Sequence, residues 1–169
     1  MSDPIEDRAW EVISAIIPAP LVRSSQRDAE RPPKPYATYR IISRKTIGTD
    51  EQVSTDENGV MTLRGLREGV IQISVFGGNA RFVCDTLLNN ARKESSRYLM
   101  RRVRFWLNAN AGVKDTSAAR DKLNFEQMAT VDLYYRHQTT YQDGVGIIDT
   151  ADVTGDLDGK TLHIIVPLE

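Results

Sequence analysis

Catalysis needs titratable or nucleophilic side chains that converge, and this sequence offers few. His137 and His163 both fall on stretches that alternate like strands, and neither has a His, Cys or carboxylate at metal-ligand spacing. Each reads as a solvent-facing or hydrogen-bonded strand residue. Cys84 is the only cysteine and sits on an apolar helical stripe. It reads as a buried structural thiol, because apolar surroundings disfavour the reactive thiolate, and no intrachain disulfide can form. The run Ser74-Val75-Phe76-Gly77-Gly78-Asn79-Ala80 has the strand–glycine–helix order that can hold a phosphate on backbone N–H groups. It lacks the Gly-Lys-Ser/Thr ending of a P-loop and the third glycine of a dinucleotide fingerprint, so a tight connection is the plainer reading. Asp152, Asp156 and Asp158 precede Gly159 in a pattern that hints at calcium. Placing that glycine where an EF-hand loop needs it puts Ile165 where the loop requires a bidentate Glu. An acidic hairpin loop in water remains. No residue is assigned to catalysis, a cofactor or a metal.

Charge distribution is more informative. Arg92, Lys93, Arg97, Arg101, Arg102 and Arg104 face only Glu94 in sequence, with Tyr98, Phe105 and Trp106 interleaved. Such a run suits a nucleic-acid patch, an interface to an acidic partner, or the solvated side of a helix whose aromatics turn inward. Toward the C-terminus Asp143, Asp149, Asp152, Asp156 and Asp158 have little base near them. With 22 Lys and Arg against 23 Asp and Glu the chain is nearly neutral yet polarised, and its surface as a whole should not draw in nucleic acid or anionic membranes. A head-to-tail ring would bring opposite patches of neighbouring subunits together. The candidate interface is therefore Arg97, Arg101, Arg102 and Arg104 on one side and Asp152, Asp156 and Asp158 on the other.

The elements that must position these groups follow from periodicity. Ile5, Ala9, Val12, Ile13 and Ile16 predict a helix stopped by Pro18 and Pro20. Leu21 to Arg31 lacks period and reads as a mobile linker, and Pro32, Pro33 and Pro35 keep the chain extended to Tyr36, so 21–35 is a linker or extended segment. A strand is expected over Tyr36–Ile47, a polar loop over Gly48–Glu57, and a turn at Asn58-Gly59. Short Val60–Leu63 and clearer Val70–Phe76 strands follow. Asn79 is the expected N-cap of a helix with Ala80, Val83, Cys84, Leu87, Leu88 and Ala91 on one stripe. After a break at Ser95-Ser96, Tyr98, Leu99, Val103, Trp106 and Leu107 suggest a second, basic helix ending before Gly112. Lys114–Asn124 reads as loop and Phe125–Gln138 as a long strand. The turn Gln142-Asp143-Gly144 leads into Val145–Asp149, and the loop from Asp152 to Gly159 closes a hairpin with Thr161–Pro167. For 169 residues this is one α+β domain, 1–169, with a mainly antiparallel sheet packed against two or three helices and a C-terminal β-hairpin. The longest apolar run is too short to span a bilayer. An acidic start, MSDPIEDRAW, is unlike a secretory signal, so the chain reads as made and kept in a reducing cytosol.

The order of these features is similar to that of one family. A short helix precedes Arg31-Pro32-Pro33-Lys34-Pro35-Tyr36-Ala37. Then come the strand Ile71-Gln72-Ile73-Ser74-Val75-Phe76-Gly77 with its following helix, a second helix, a strand built like Phe125 to Arg136, and a closing hairpin. In this the chain resembles the tail terminator, or neck and tail completion, proteins of tailed bacteriophages, particularly those of contractile tails. The resemblance implies a virion structural protein of the tail and neck, assembled in the host cytoplasm and without catalysis, cofactor or membrane. It implies a homohexameric ring that caps the head-proximal end of the tail tube and forms the junction to the neck or connector. Its partners would be copies of itself, the tail tube protein, and sheath and neck proteins, with DNA passing through the lumen and no sequence being read. From loop length and charge, the Asp50–Gly59 loop and the Asp149–Gly159 hairpin are expected to reach partners, and the basic helix Arg97–Arg104 to form the subunit interface. A head-to-tail adaptor or other tail completion protein shares these patterns. A nucleic-acid-binding module using the basic helix 92–106 is the reading from another class, and its binding would weaken steeply with salt.

Overall fold

Pro4, whose fixed φ suits a first helical turn, opens α1 (Pro4–Ile16), and Ala9, Val12, Ile13 and Ile16 form its buried stripe. A computed structural model describes residues 4–24, 31–119, 125–146, 150–157 and 160–167; of 118, 119, 125, 150–157 and 160–167 only the backbone is described. Leu21–Arg23, expected to begin a mobile linker, is instead strand β1, paired in parallel with Ala37–Tyr39. Three residues are too few to show a period, so the backbone pairing left no mark on the sequence. Arg23 fixes the strand to α1. Its guanidinium meets Asp7 at 2.6 Å and lies 5.4 Å from the Trp10 ring centroid, a cation–π distance.

β2 (Tyr36–Thr55) and β3 (Val60–Phe76) are longer than their apolar patterns. The loop expected over 48–57 is strand as far as Thr55, and the short Val60–Leu63 strand runs unbroken through Gly65 and Gly69 into Val70–Phe76. Polar strand ends carry no alternation to read; a cross-strand pair between Glu51 and Arg64 at 2.7 Å marks them instead. The turn itself is where Asn58-Gly59 placed it. Asp56 Oδ1 accepts the N–H groups of Asn58 (2.9 Å) and Val60 (2.8 Å), and Gly59 takes φ 70°, a conformation open to glycine.

After β3 come α2 (Ala80–Ala91) and α3 (Glu94–Val103). Then follow β4 (Phe105–Asn108), β5 (Val113–Asp115), β6 (Ala118–Ala119), β7 (Phe125–Glu126), β8 (Met128–Gly144), β9 (Thr150–Leu157) and β10 (Lys160–Pro167). Three expectations change here. Asn79 does sit before α2, but in the left-handed region and without a side-chain cap; its own N–H donates to Gln127 Oε1 at 2.9 Å. The second helix stops at Val103, because Arg104 turns left-handed at φ 54°. Phe105 and Leu107 are then buried and Trp106 and Asn108 exposed, a period of two that four residues are too few to separate from helical spacing. The region read as loop from Lys114 supplies β5 and β6.

A six-stranded sheet runs β1-β2-β3-β8-β4, with β5 also on β8. Side chains on its outer face give the β3–β8 direction. Glu68 meets Arg136, Gln72 meets Asp132 and Ser74 meets Thr130, so one number rises as the other falls, which is antiparallel. The inner face presents Ile71, Ile73 and Val75 of β3, Val131, Leu133 and Tyr135 of β8, and Phe105 of β4 to α1 and α2 in one core. β9 and β10 pair antiparallel, so the partner of the expected Thr161–Pro167 strand is Thr150–Leu157, where a loop was expected, while of the expected Val145–Asp149 strand Val145 and Gly146 are not strand and the rest lies outside the described residues. The fold is α+β, a mixed sheet with three helices among the described residues. By contacts the chain divides into two compact units, Met1–Thr49 with Gly65–Thr139 and Asp50–Arg64 with Thr140–Glu169.

Candidate assembly interface

α3 carries the basic run. Glu94 stands in its first turn and Arg101 and Arg102 in its last, each sign at the end where the helix dipole favours it. Glu94 is shared by two arginines, Arg101 at 3.1 Å and Arg97 at 3.8 Å, and Arg102 pairs with Glu11 of α1 at 2.7 Å. The guanidinium of Arg92 turns to the Ala109 carbonyl at 2.9 Å. Between α3 and β4 lies an open cleft of about 390 Å3, lined by Arg92, Arg97, Arg101, Trp106 and Asn108 among others. The expected inward turn of the aromatics holds for Phe105, which is fully buried, and fails for Tyr98 and Trp106, which are 67% and 38% exposed. Arg104, the helix's C-cap, is exposed.

On the acidic side, Asp152 and Asp156 lie on strand β9, opposite Ile165 and Thr161, where a loop was expected; Asp158 falls outside the described residues. The Asp50–Gly59 segment is likewise mostly strand, with Tyr141 Oη donating to Asp50 Oδ2 at 2.7 Å. Charge follows the division into units. Asp50–Arg64 with Thr140–Glu169 hold ten Asp and Glu against two Lys and Arg, a formal −8, while the other unit holds 13 against 20, a formal +7. The two patches were visible along the chain but this partition was not, because Asp50–Arg64 groups with Thr140–Glu169, remote from it in sequence.

The profile of one protein family, described as phage neck terminator protein, matches residues 5–160. The chain belongs to that family. No curated protein gives a match. This neck terminator is thus a tail and neck structural protein of a bacteriophage, part of the virion, and works among other tail and neck proteins.

The other sequence candidates are not brought together in this neck terminator. Cys84 is buried beneath α2 and burial, with Asp85 adding to it, pushes its thiol up to about 11. His137 was expected to face solvent or to be hydrogen-bonded. It is 2% exposed, stacked against Tyr135 with ring centroids 6.0 Å apart, and neither ring nitrogen has a hydrogen-bond partner among the described residues. Burial lowers its pKa and the charges of Arg8, Arg44 and Arg67 add to that, while the Gln138 backbone acts the other way. Its alternation with Val131, Leu133 and Tyr135 marked the buried face, whereas its neighbours across the sheet left no sign in the sequence. His163 lies on β10, with no side chain described. At the glycine turn, Gln127 already takes two of the N–H groups a phosphate would need, Gly77 to its carbonyl and Asn79 to its side chain, both at 2.9 Å. In the adjoining cleft Asp85 and Asp115 outnumber Arg81 among the lining residues, a balance unfavourable to an anion. No group of three His, Cys, Asp or Glu suited to a metal occurs among the described residues.

Proposed function

We propose that this chain is the tail terminator subunit itself, forming a hexameric ring that caps the head-proximal end of the tail tube and presents the junction to the neck or connector. The observation that carries this reading is the partition of charge, +7 in one unit and −8 in the other, in a member of the neck terminator family. Heterologous contacts join unlike surfaces and close into a ring when the rotation permits; a subunit with opposite charge on separate units is suited to that and poorly suited to a twofold contact of like with like. Arg97, Arg101, Arg102 and Arg104 of one copy would face the acidic residues Asp152, Asp156 and Asp158 of the next. The family match runs through both units, which supports treating 1–169 as one terminator domain. Tail tube, sheath and neck proteins are the further partners, assembly takes place in the host cytoplasm, and DNA crosses the lumen without its sequence being read.

A nucleic-acid role for 92–106 has less support, because Phe105, one of the interleaved aromatics, is buried and the family is one of tail and neck structural proteins. The test is assembly of a double reversal, Arg101→Glu with Arg102→Glu, on isolated tail tubes. Loss of ring formation with an unchanged circular dichroism spectrum is expected. Rings that form normally would remove these arginines from the interface, and binding to duplex DNA with a steep salt slope would favour the other reading.

A further inference from the structure

Among the described residues the sheet ends at β4, which pairs with β8 alone, and β9 pairs with β10 alone. Each is thus an edge strand, a template for pairing with another chain unless something blunts it. Gln138 N–H donates to Arg104 O. By the alternation of an antiparallel ladder, the backbone polar groups of Trp106 and Asn108 then turn toward β8, and those of Phe105 and Leu107 away from it. Beside that edge lies the cleft lined by Arg92, Arg97, Arg101 and Trp106. Among the described residues Arg97 and Arg101 share one carboxylate, Glu94, and the cleft's lining keeps an excess of positive charge.

We infer that β4 accepts strand β9 of a second copy as an added strand, with the acidic residues of β9 answering the arginines of the cleft. This rests on the ring reading and names its docking surfaces. Backbone pairing along an edge supplies the affinity and side chains at alternate positions the specificity. Positions 152, 154 and 156 fall on one side of a strand by that alternation, so two aspartates recur at the spacing needed to follow an edge. β9 belongs to the unit of net −8 and β4 to the unit of net +7, so approach is favoured before contact is made. Docked carboxylates would take over Arg97 and Arg101 from Glu94.

A synthetic peptide of residues 149–158 is the probe, titrated into the full chain and followed by tryptophan fluorescence, with Trp106→Phe separating the response of Trp106 from that of Trp10. Saturable binding that weakens with salt is expected. It should fall at least about tenfold in Arg97→Glu with Arg101→Glu, taking two exposed charge pairs together. Glu94→Gln, which removes the competing carboxylate, should tighten it. Absence of binding, or equal binding by a peptide with asparagine at 152 and 156, overturns the inference. If rings still assemble on tail tubes in that event, only this docking mode is lost; if the peptide binds and no ring ever forms, the docking stands and the terminator reading does not. A second check uses the reciprocal pair, Arg97→Asp with Arg101→Asp in one chain and Asp152→Lys with Asp156→Lys in another. Each should fail to assemble alone and the two should co-assemble when mixed; self-assembly of either, or failure of the mixture, counts against the inference.

Discussion

Arg102 of α3 and Glu11 of α1 meet at 2.7 Å, Nη2 to Oε1, joining two helices of the positively charged unit. Both side chains are about half exposed or more, 62% and 47%, so solvent screens the pair and its share of stability is at most about 1 kcal/mol. Arg102→Ala is therefore expected to lower stability by less than that in urea unfolding, with the m-value unchanged. A loss of several kcal/mol would mean that the pair anchors α3, and assembly defects at this residue could then not be assigned to an interface.

A tighter constraint lies where β3 passes Tyr135. The Tyr135 hydroxyl donates to the Ser43 carbonyl at 3.2 Å, and a Cβ on Gly69 would strike that same carbonyl and come within 2.8 Å of the hydroxyl. Gly69→Ala should destabilise by roughly 1–3 kcal/mol, the usual cost of overpacking. Tyr135→Phe should cost only about 1 kcal/mol, a single neutral hydrogen bond. Thermal unfolding of the two variants checks the order; equal losses would contradict it.

Acid should weaken the fold through His137. Its folded pKa lies below the ordinary 6.5, so the unfolded chain takes up a proton first as pH falls. The contribution is fully present above about 6.5 and is lost as pH drops from there toward the folded value. Glu68 and Asp132, whose pKa values are lowered chiefly by Lys45 and Lys114 respectively, act only in the more acidic carboxylate range. In His137→Phe the fall in urea midpoint between pH 7 and 5 should shrink; an unchanged profile would assign acid sensitivity elsewhere.

Cys84 offers a probe of the core. With its thiol pushed up to about 11 by burial and no exposed surface, it should resist alkylation in the native protein and react within the unfolding time in denaturant. Rapid native labelling would show that α2 opens from the sheet.

Much of the fold was legible in the sequence wherever a segment buries one face. The stripes of α1 and α2 and the alternation at Ile71, Ile73 and Val75 specified their elements. Legibility failed where pairing comes from the backbone alone. Leu21–Arg23 is too short for a period, the polar end of β2 is held by β3, and β4 looks helical until Arg104 takes its left-handed turn. The candidate interface was half visible for the same reason. Charge clusters can be counted along a chain, but Glu94 and Glu11 as partners of the arginines, and Asp152 and Asp156 as strand residues, depend on which elements come together.

Electron microscopy of purified tail tubes with the protein added is the decisive measurement for the capping role. A sixfold ring is expected at one end of each tube, with tubes that no longer elongate when tail tube subunits are supplied. Bare tube ends at saturating protein, with elongation continuing, would contradict it.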